Sequence, residues 1–317
     1  MIAAAKRLNY RINLTASMLK SGRSNIIHVI VNEFDSPFYS KLTQALSNEI
    51  VSRGLIPFIE QTQYSPDAAE HALSSNPFSG QLFDGEILHA TGLGTNVPLS
   101  KLNGGRPFVL LDACEETPTV DAVNFPNEEA ERAAMQHLID RGCRNIAIVG
   151  HRFAPAPIWR MPRTRSLCDC AAHAERCPTP DCPMTSRWCS KPGMWPMASS
   201  PGMRLRERIL AARSGHGGTE FDGACCANDF AAFGVIRGLA DRGLRVPQDV
   251  KVIGFDGVTS GSYTTPALST IQVDFTQLAK FSVDMLSERI DHGADEALPP
   301  RRAIIGYQLV DRESTAV

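Results

Sequence analysis

Several features are scarce in this chain of 317 residues, and each scarcity removes a class of protein. No apolar run approaches the roughly 20 residues that a membrane-spanning helix needs. The formal net charge is only −2, so no strong electrostatic pull draws the whole chain to nucleic acid or to an anionic membrane. The opening stretch "MIAAAKRLNYRINLTASMLK" is too polar and too periodic for a signal peptide, which points to a cytoplasmic protein. Catalytic signatures are missing as well. There is no Gly-x-Ser-x-Gly, no Walker loop and no Gly-x-Gly-x-x-Gly behind a strand. "GLGTN" (92–96) reads as a turn, and the pairs Glu115–Glu116 and Glu128–Glu129 fit solvated loops and helix starts. No enzymatic activity and no cofactor is read from these residues.

A sharper scarcity is local. Between His151 and Met203 there is no valine, one isoleucine (Ile158) and one leucine (Leu167). The same stretch holds five of the nine cysteines (Cys168, Cys170, Cys177, Cys182, Cys189), nine of the 21 prolines and all three tryptophans. Composition changes abruptly at Gly150 and recovers near Met203.

What is present elsewhere is a clean alternation of short apolar runs and amphipathic helices. "NIIHVIVNEF" (25–34) has strand length and is followed by a helix over 36–54. There Phe38, Leu42, Ala45, Leu46 and Ile50 recur at helical spacing, and Gly54 stands where the helix stops. Strands are predicted over 55–60, 83–91, 106–113, 121–125 and 145–150, with helices through the seventies and over 127–142. After residue 203 come a helix (203–213), a strand and turn (221–229), a helix (229–243), a buried strand (249–257), a helix (275–290) and a last strand (303–314). Strands this continuously apolar, separated by helices, imply an α/β fold of parallel sheets covered on both faces. Ligands of such sheets bind where loops converge at the carboxyl ends of the strands.

Two runs carry a family resemblance. "LNYRINLTASMLKSGRSNIIHVIVNEFDSPFY" resembles the junction of DNA-binding headpiece and effector domain in LacI/GalR-type bacterial transcription regulators. "ANDFAAFGVIRGLADRGLRVPQDVKVIGFDGVTSGSYTTPALSTI" is similar to the most recognisable C-terminal run of that family. The resemblance covers about 1–150 and 204–314. It implies the periplasmic-binding-protein type I fold, two parallel-sheet lobes joined by three crossovers with an effector cleft between them. Residues 1–24 would be the headpiece remnant and hinge. The N-terminal lobe would hold 25–150 plus about 275–295, and the C-terminal lobe 151–272 plus about 300–314.

The resemblance also implies roles. In "YRINLTASMLKSG" (10–22), Asn13 caps a short hinge helix, while Thr15, Ala16 and Leu19 lie along one face. Such hinge helices pair across a homodimer and push a leucine, here Leu19, between base pairs of operator DNA in the minor groove. Arg11, Lys20 and Arg23 would meet phosphates. Off DNA a helix this short is marginal, and the segment behaves as a basic tail. Around the cleft the resemblance points to Asp35, Phe38 and Tyr39 after the first strand, to Asn228 and Asp229, and to Asp256 of "GFDG". Carboxylates, an amide and a ring suit a small polar effector such as a sugar or nucleoside. From the residues alone, Asp229 is equally a helix N-cap and Phe38 a core residue. A solute-binding protein of the same fold is the alternative, against which residues 10–22 argue.

For residues 151–203 three readings compete. A zinc site needs about four thiolates or imidazoles, usually in paired CxxC or CxxH knuckles, and here the spacings are CxC, then six, four and six, with no CxxC. A disulfide knot conflicts with a cytosolic chain. The reading that covers most facts is a shifted reading frame bounded by two compensating indels: the length suits the family, recognisable sequence returns afterwards, and Arg, Pro, Cys, Ser and Trp crowd the segment. The C-terminal lobe would then lose buried apolar area worth about 25 cal/mol per Å², against a net stability of only about 5–15 kcal/mol. No arginine there is assigned to the effector. Ahead of the hinge, only "MIAAAKRLNY" (1–10) corresponds to the helix-turn-helix headpiece of the family, so this polypeptide is expected to show no sequence-specific operator affinity. A shifted band in a low-salt gel assay that survives competitor DNA contradicts that expectation.

Overall fold

The computed structural model describes residues 22–74, 82–89, 105–112, 119–150, 221–292 and 298–316. The first sheet begins with β1 (Ile26–Val31), α1 (Pro37–Ser52), β2 (Ile56–Gln61), α2 (Pro66–Ser74), β3 (Gly85–Leu88), β4 (Phe108–Leu111) and β5 (Asp121–Asn124). In β1 both faces are covered, which is why its sequence is nearly continuously apolar. Ile27, Val29 and Val31 join Leu42, Leu46 and Ile50 of α1 in one core, while Ile30 packs with Ala72, Leu73, Leu88 and Phe108 on the other side. Helix α1 closes as its sequence predicts: past Ser52, Gly54 donates its N–H to Val51 and Leu55 donates to Ile50.

The chain then supplies α3 (Asn127–Asp140), β6 (Ile146–Val149), β7 (Gly223–Cys226), α4 (Asp229–Ala240), β8 (Lys251–Asp256), β9 (Ser269–Val273), α5 (Phe275–His292), β10 (Arg302–Ile304) and β11 (Tyr307–Val310). The strands form a six-stranded sheet ordered β10-β5-β4-β3-β1-β2 and a five-stranded sheet ordered β11-β9-β8-β7-β6. All pairings are parallel except β11 with β9. Three passages link the sheets: β5 into α3, β9 into α5, and β10 into β11. This is the α/β architecture of two parallel-sheet lobes with three crossovers.

Two expected boundaries move. Strand β6 pairs with β7, Ile146 opposite Gly223, and α3 packs on the second sheet, so the first passage lies at Phe125–Pro126 rather than at Gly150. The run expected as one final strand over 303–314 is two strands: β10 lies beside β5 in the first sheet and β11 beside β9 in the second. The physical reason is common to both. Apolar periodicity reports that a strand is buried, and "NIAIV" is equally buried in either sheet. The expected helix over 203–213 and the whole of 151–203 lie outside the described residues.

The second sheet is closed by the end of the chain. Ser314 Oγ donates to the Val252 carbonyl, and Ser269 N–H donates to Ser314 Oγ. Thr315 Oγ1 lies 2.6 Å from Ser269 Oγ, 3.0 Å from Asp311 Oδ1 and 2.9 Å from Nε2 of His137 on α3. Burial, with the nearby Arg141 guanidinium, holds the His137 imidazole below its ordinary pKa, and the Asp311 and Asp140 carboxylates only partly oppose this. A histidine whose folded pKa is depressed stabilises the fold above its unfolded value of about 6.5, and that stability is lost as pH falls below this value and through the lower folded pKa. Urea midpoints of the wild type are therefore expected to fall more between pH 7.5 and pH 5.5 than those of His137→Gln. Parallel pH profiles would remove His137 from the account.

Candidate functional site

The carboxyl ends of β7 and β8 meet the first residues of β9 in a knot of polar groups. Asn228 ends the β7 turn in extended backbone and caps α4, its side-chain oxygen accepting the Ala231 N–H at 2.7 Å. Asp229 follows, fully buried. Its carboxylate accepts the Val258 N–H at 2.7 Å and the Thr270 hydroxyl at 2.6 Å. Thr270 Oγ1 in turn accepts the Gly257 N–H at 3.3 Å. Burial pushes the Asp229 carboxyl up to about 7, a rise that the hydrogen bonds from Thr270 and Val258 and the charge of Arg312 restrain.

This knot explains the glycines of "IGFDG". A Cβ on Gly254 would fall 2.2 Å from Asp229 Oδ1, and one on Gly257 would fall 2.6 Å from the Gln272 Cα. Between them Asp256 ends β8 at φ +107°, followed by Gly257 at +71°. A non-glycine residue in that region is costly and persists only where its surroundings over-determine it. Asp256 is itself buried at 5% exposure, opposite Gln272 of β9.

The first sheet faces this turn with an aromatic cluster. Phe38 packs against Tyr39, Phe275, His89 and Phe125 with ring centroids 5.0, 5.4, 5.6 and 5.7 Å away. Phe125 opens the first passage between sheets and Phe275 closes the second, so Phe38 is a wedge in the crossover core. The Tyr39 hydroxyl accepts the Asn32 amide N–H at 2.7 Å and lies 3.3 Å from His89 Nδ1. Lys41, on the same helix, donates to the Gly257 carbonyl at 2.6 Å and so joins the two groups.

The expected cleft residues thus divide. Asp256 stands on a fixed turn at the carboxyl end of a central strand, and Asp35 is exposed in the loop ahead of α1. Phe38, Tyr39, Asn228 and Asp229 are engaged by internal contacts: Phe38 takes the core role that its spacing also allowed, and the N-cap is Asn228, one residue before Asp229. Sequence reasoning missed Lys41, Thr270 and His89, none of which stands in a recognisable motif. Arg11, Asn13, Thr15, Ala16, Leu19 and Lys20 lie outside the described residues. Among those described, no group of three His, Cys, Asp or Glu side chains is placed to hold a metal. Cys143, Cys225 and Cys226 are free and buried, and burial pushes the Cys143 thiol up to about 11 and the other two up as well, which keeps them protonated and unreactive.

Thr270→Val keeps the shape of the knot while removing the hydroxyl shared by Asp229 and Gly257. Because buried groups are left unpaired, it is expected to lower the unfolding free energy by about 1–3 kcal/mol. Equal urea midpoints for variant and wild type would show that the knot adds no stability.

Comparison with known proteins places this geometry. The pattern of the periplasmic binding protein-like domain matches residues 135–315, more than half of the chain. A structure from Sanguibacter keddieii DSM 10542, assigned to LacI-family transcriptional regulators, is 30% identical with a TM-score of 0.78, covering 93% of this chain and 100% of that one. The transcriptional repressor PurR of Aliivibrio fischeri is 26% identical over 288 residues, 90% of this chain and 81% of its own. A LacI family regulator from Arthrobacter sp. FB24, solved in complex with lactose, shares the fold at a TM-score of 0.70 and 23% identity, over 92% of this chain and 99% of that one. By pattern, by sequence and by fold, the chain belongs to the periplasmic binding protein-like family and, within it, to the LacI-type transcriptional regulators.

Proposed function

We propose that this protein is the effector-responsive body of a LacI-type repressor, with the space between its two sheets taking a small, hydroxyl-rich molecule such as a sugar. One observation carries the reading. Asp256 is held in left-handed backbone at the point where the second sheet faces α1, so the turn that carries its carboxylate is fixed before any ligand arrives. A pre-set acceptor loses little entropy on binding and suits paired hydroxyl donors. Asp35, exposed at the neighbouring loop, is the second polar contact of this proposal.

Ligand occupancy would bias the relative setting of the two lobes and the order of residues 10–22, and, where an intact helix-turn-helix headpiece is joined to them, the hold on operator DNA. Leu19 is the minor-groove wedge, Asn13 the cap, Thr15 and Ala16 the packing face, and Arg11 and Lys20 the phosphate contacts. The protein acts as a homodimer. The exposed Val51 of α1 and Ile56 and Phe58 of the edge strand β2 supply apolar surface for the partner, and the mass by light scattering tests this. Residues 151–203 remain, in this reading, a frame-shifted segment bounded by two compensating indels, which the coding DNA across them decides. No catalytic step is assigned.

The effector reading is tested by calorimetric titration with neutral mono- and disaccharides and with nucleosides. One class is expected to bind, and Asp256→Asn to weaken it at least tenfold, about 1.4 kcal/mol, with the thermal midpoint unchanged. Binding that is indifferent to Asp256→Asn sinks the assignment.

A further inference from the structure

We propose that Lys41 is a positioning residue for the effector cleft: reaching from α1, it latches the Asp256–Gly257 turn of the second lobe to the first. The inference rests on the reading of Asp256 as the effector contact, but the latch itself stands on geometry. Lys41 Nζ donates to the Gly257 carbonyl at 2.6 Å across 216 positions of sequence, in a partly buried setting. Gly257 is thereby held at both of its backbone polar groups, its N–H by Thr270 Oγ1 and its C=O by Lys41. The next N–H, of Val258, is fixed by Asp229. Thr270 and Asp229 belong to the second lobe, and Lys41 to the helix that carries Phe38 and Tyr39.

Strain supplies the second argument. Asp256 and Gly257 follow one another at φ +107° and +71°. An aspartate in that region relaxes unless its neighbours forbid it. The contacts from Thr270 and Asp229 fix the turn against its own sheet, and the one from Lys41 fixes it against the other. The ammonium sits among the carboxylates of Asp229 and Asp256 and near the Arg312 guanidinium. Burial holds its pKa below the ordinary lysine value, as for an amine that has traded water for a protein acceptor. Lysine offers three donors on a flexible stem, so it can follow the carbonyl through small lobe movements. A ligand on Asp256 would then be felt at α1 through a single hydrogen bond.

Hydrogen–deuterium exchange of the full chain without ligand tests the latch separately from the effector reading, which the titrations test. In Lys41→Met the amides of Gly257, Val258 and Gly261 are expected to exchange at least tenfold faster than in the wild type. Amides within β8, and the thermal midpoint, should stay in place, and Lys41→Arg should restore slow exchange. Unchanged exchange at 257–261 overturns the proposal. So does a uniform rise over the second sheet, or loss of the fold in Lys41→Met while Lys41→Arg folds, since either makes Lys41 a general stabiliser.

Discussion

The carboxylate of Asp229 is the contact around which the second lobe is arranged. It lies at the start of α4, where the helix dipole favours negative charge, yet it is fully buried and its carboxyl titrates near neutrality. An unpaired charge there would be costly, so its hydrogen bonds to Val258 and Thr270 are obligatory partners. Through them the amino end of a helix, the turn after β8 and the strand β9 are fixed relative to one another. Gly254 exists to let that carboxylate approach β8, and Gly257 to let the turn pass over Gln272.

The two sheets then act as one molecule because the passages between them are packed. Phe125 and Phe275, at two of the three passages, hold Phe38 between them, and the main core cluster runs from β1 and α1 through to β8 and β9. A motion of one lobe against the other must therefore work against an aromatic contact and against the Lys41 hydrogen bond. Such a device responds to differential binding by small free energies, which is what an effector domain requires.

The residues legible in advance were those whose chemistry is local. Gly54 and the apolar spacing of α1 are stated by the sequence, and the cap of α4 was placed within one residue, because capping and helix periodicity depend on neighbours within a turn. The place of Asp256 at a strand end was legible through "GFDG". Lys41 and Thr270 were not: each acts on a partner far along the chain, 216 positions away for Lys41 and 41 for Thr270, and nothing in their surroundings distinguishes them from ordinary surface or strand residues. For Phe38 and Asp229 the sequence left two roles open, and both side chains are buried in internal contacts.

By itself, then, the sequence determined the type and order of the described elements except β9 and the break between β10 and β11, and it carried the family run from Asn228 to Ile271, since periodicity, caps and close-approach glycines are encoded within short windows. Which sheet each strand joins was a tertiary decision. Strand β6 was drawn to β7, and the last two strands, β10 and β11, went to different sheets, because pairing is settled by backbone hydrogen bonds to distant strands and not by side-chain hydropathy. The knot at Asp229 and its tie to Lys41 likewise came into being only when α1, α4, β8 and β9 were brought to one place.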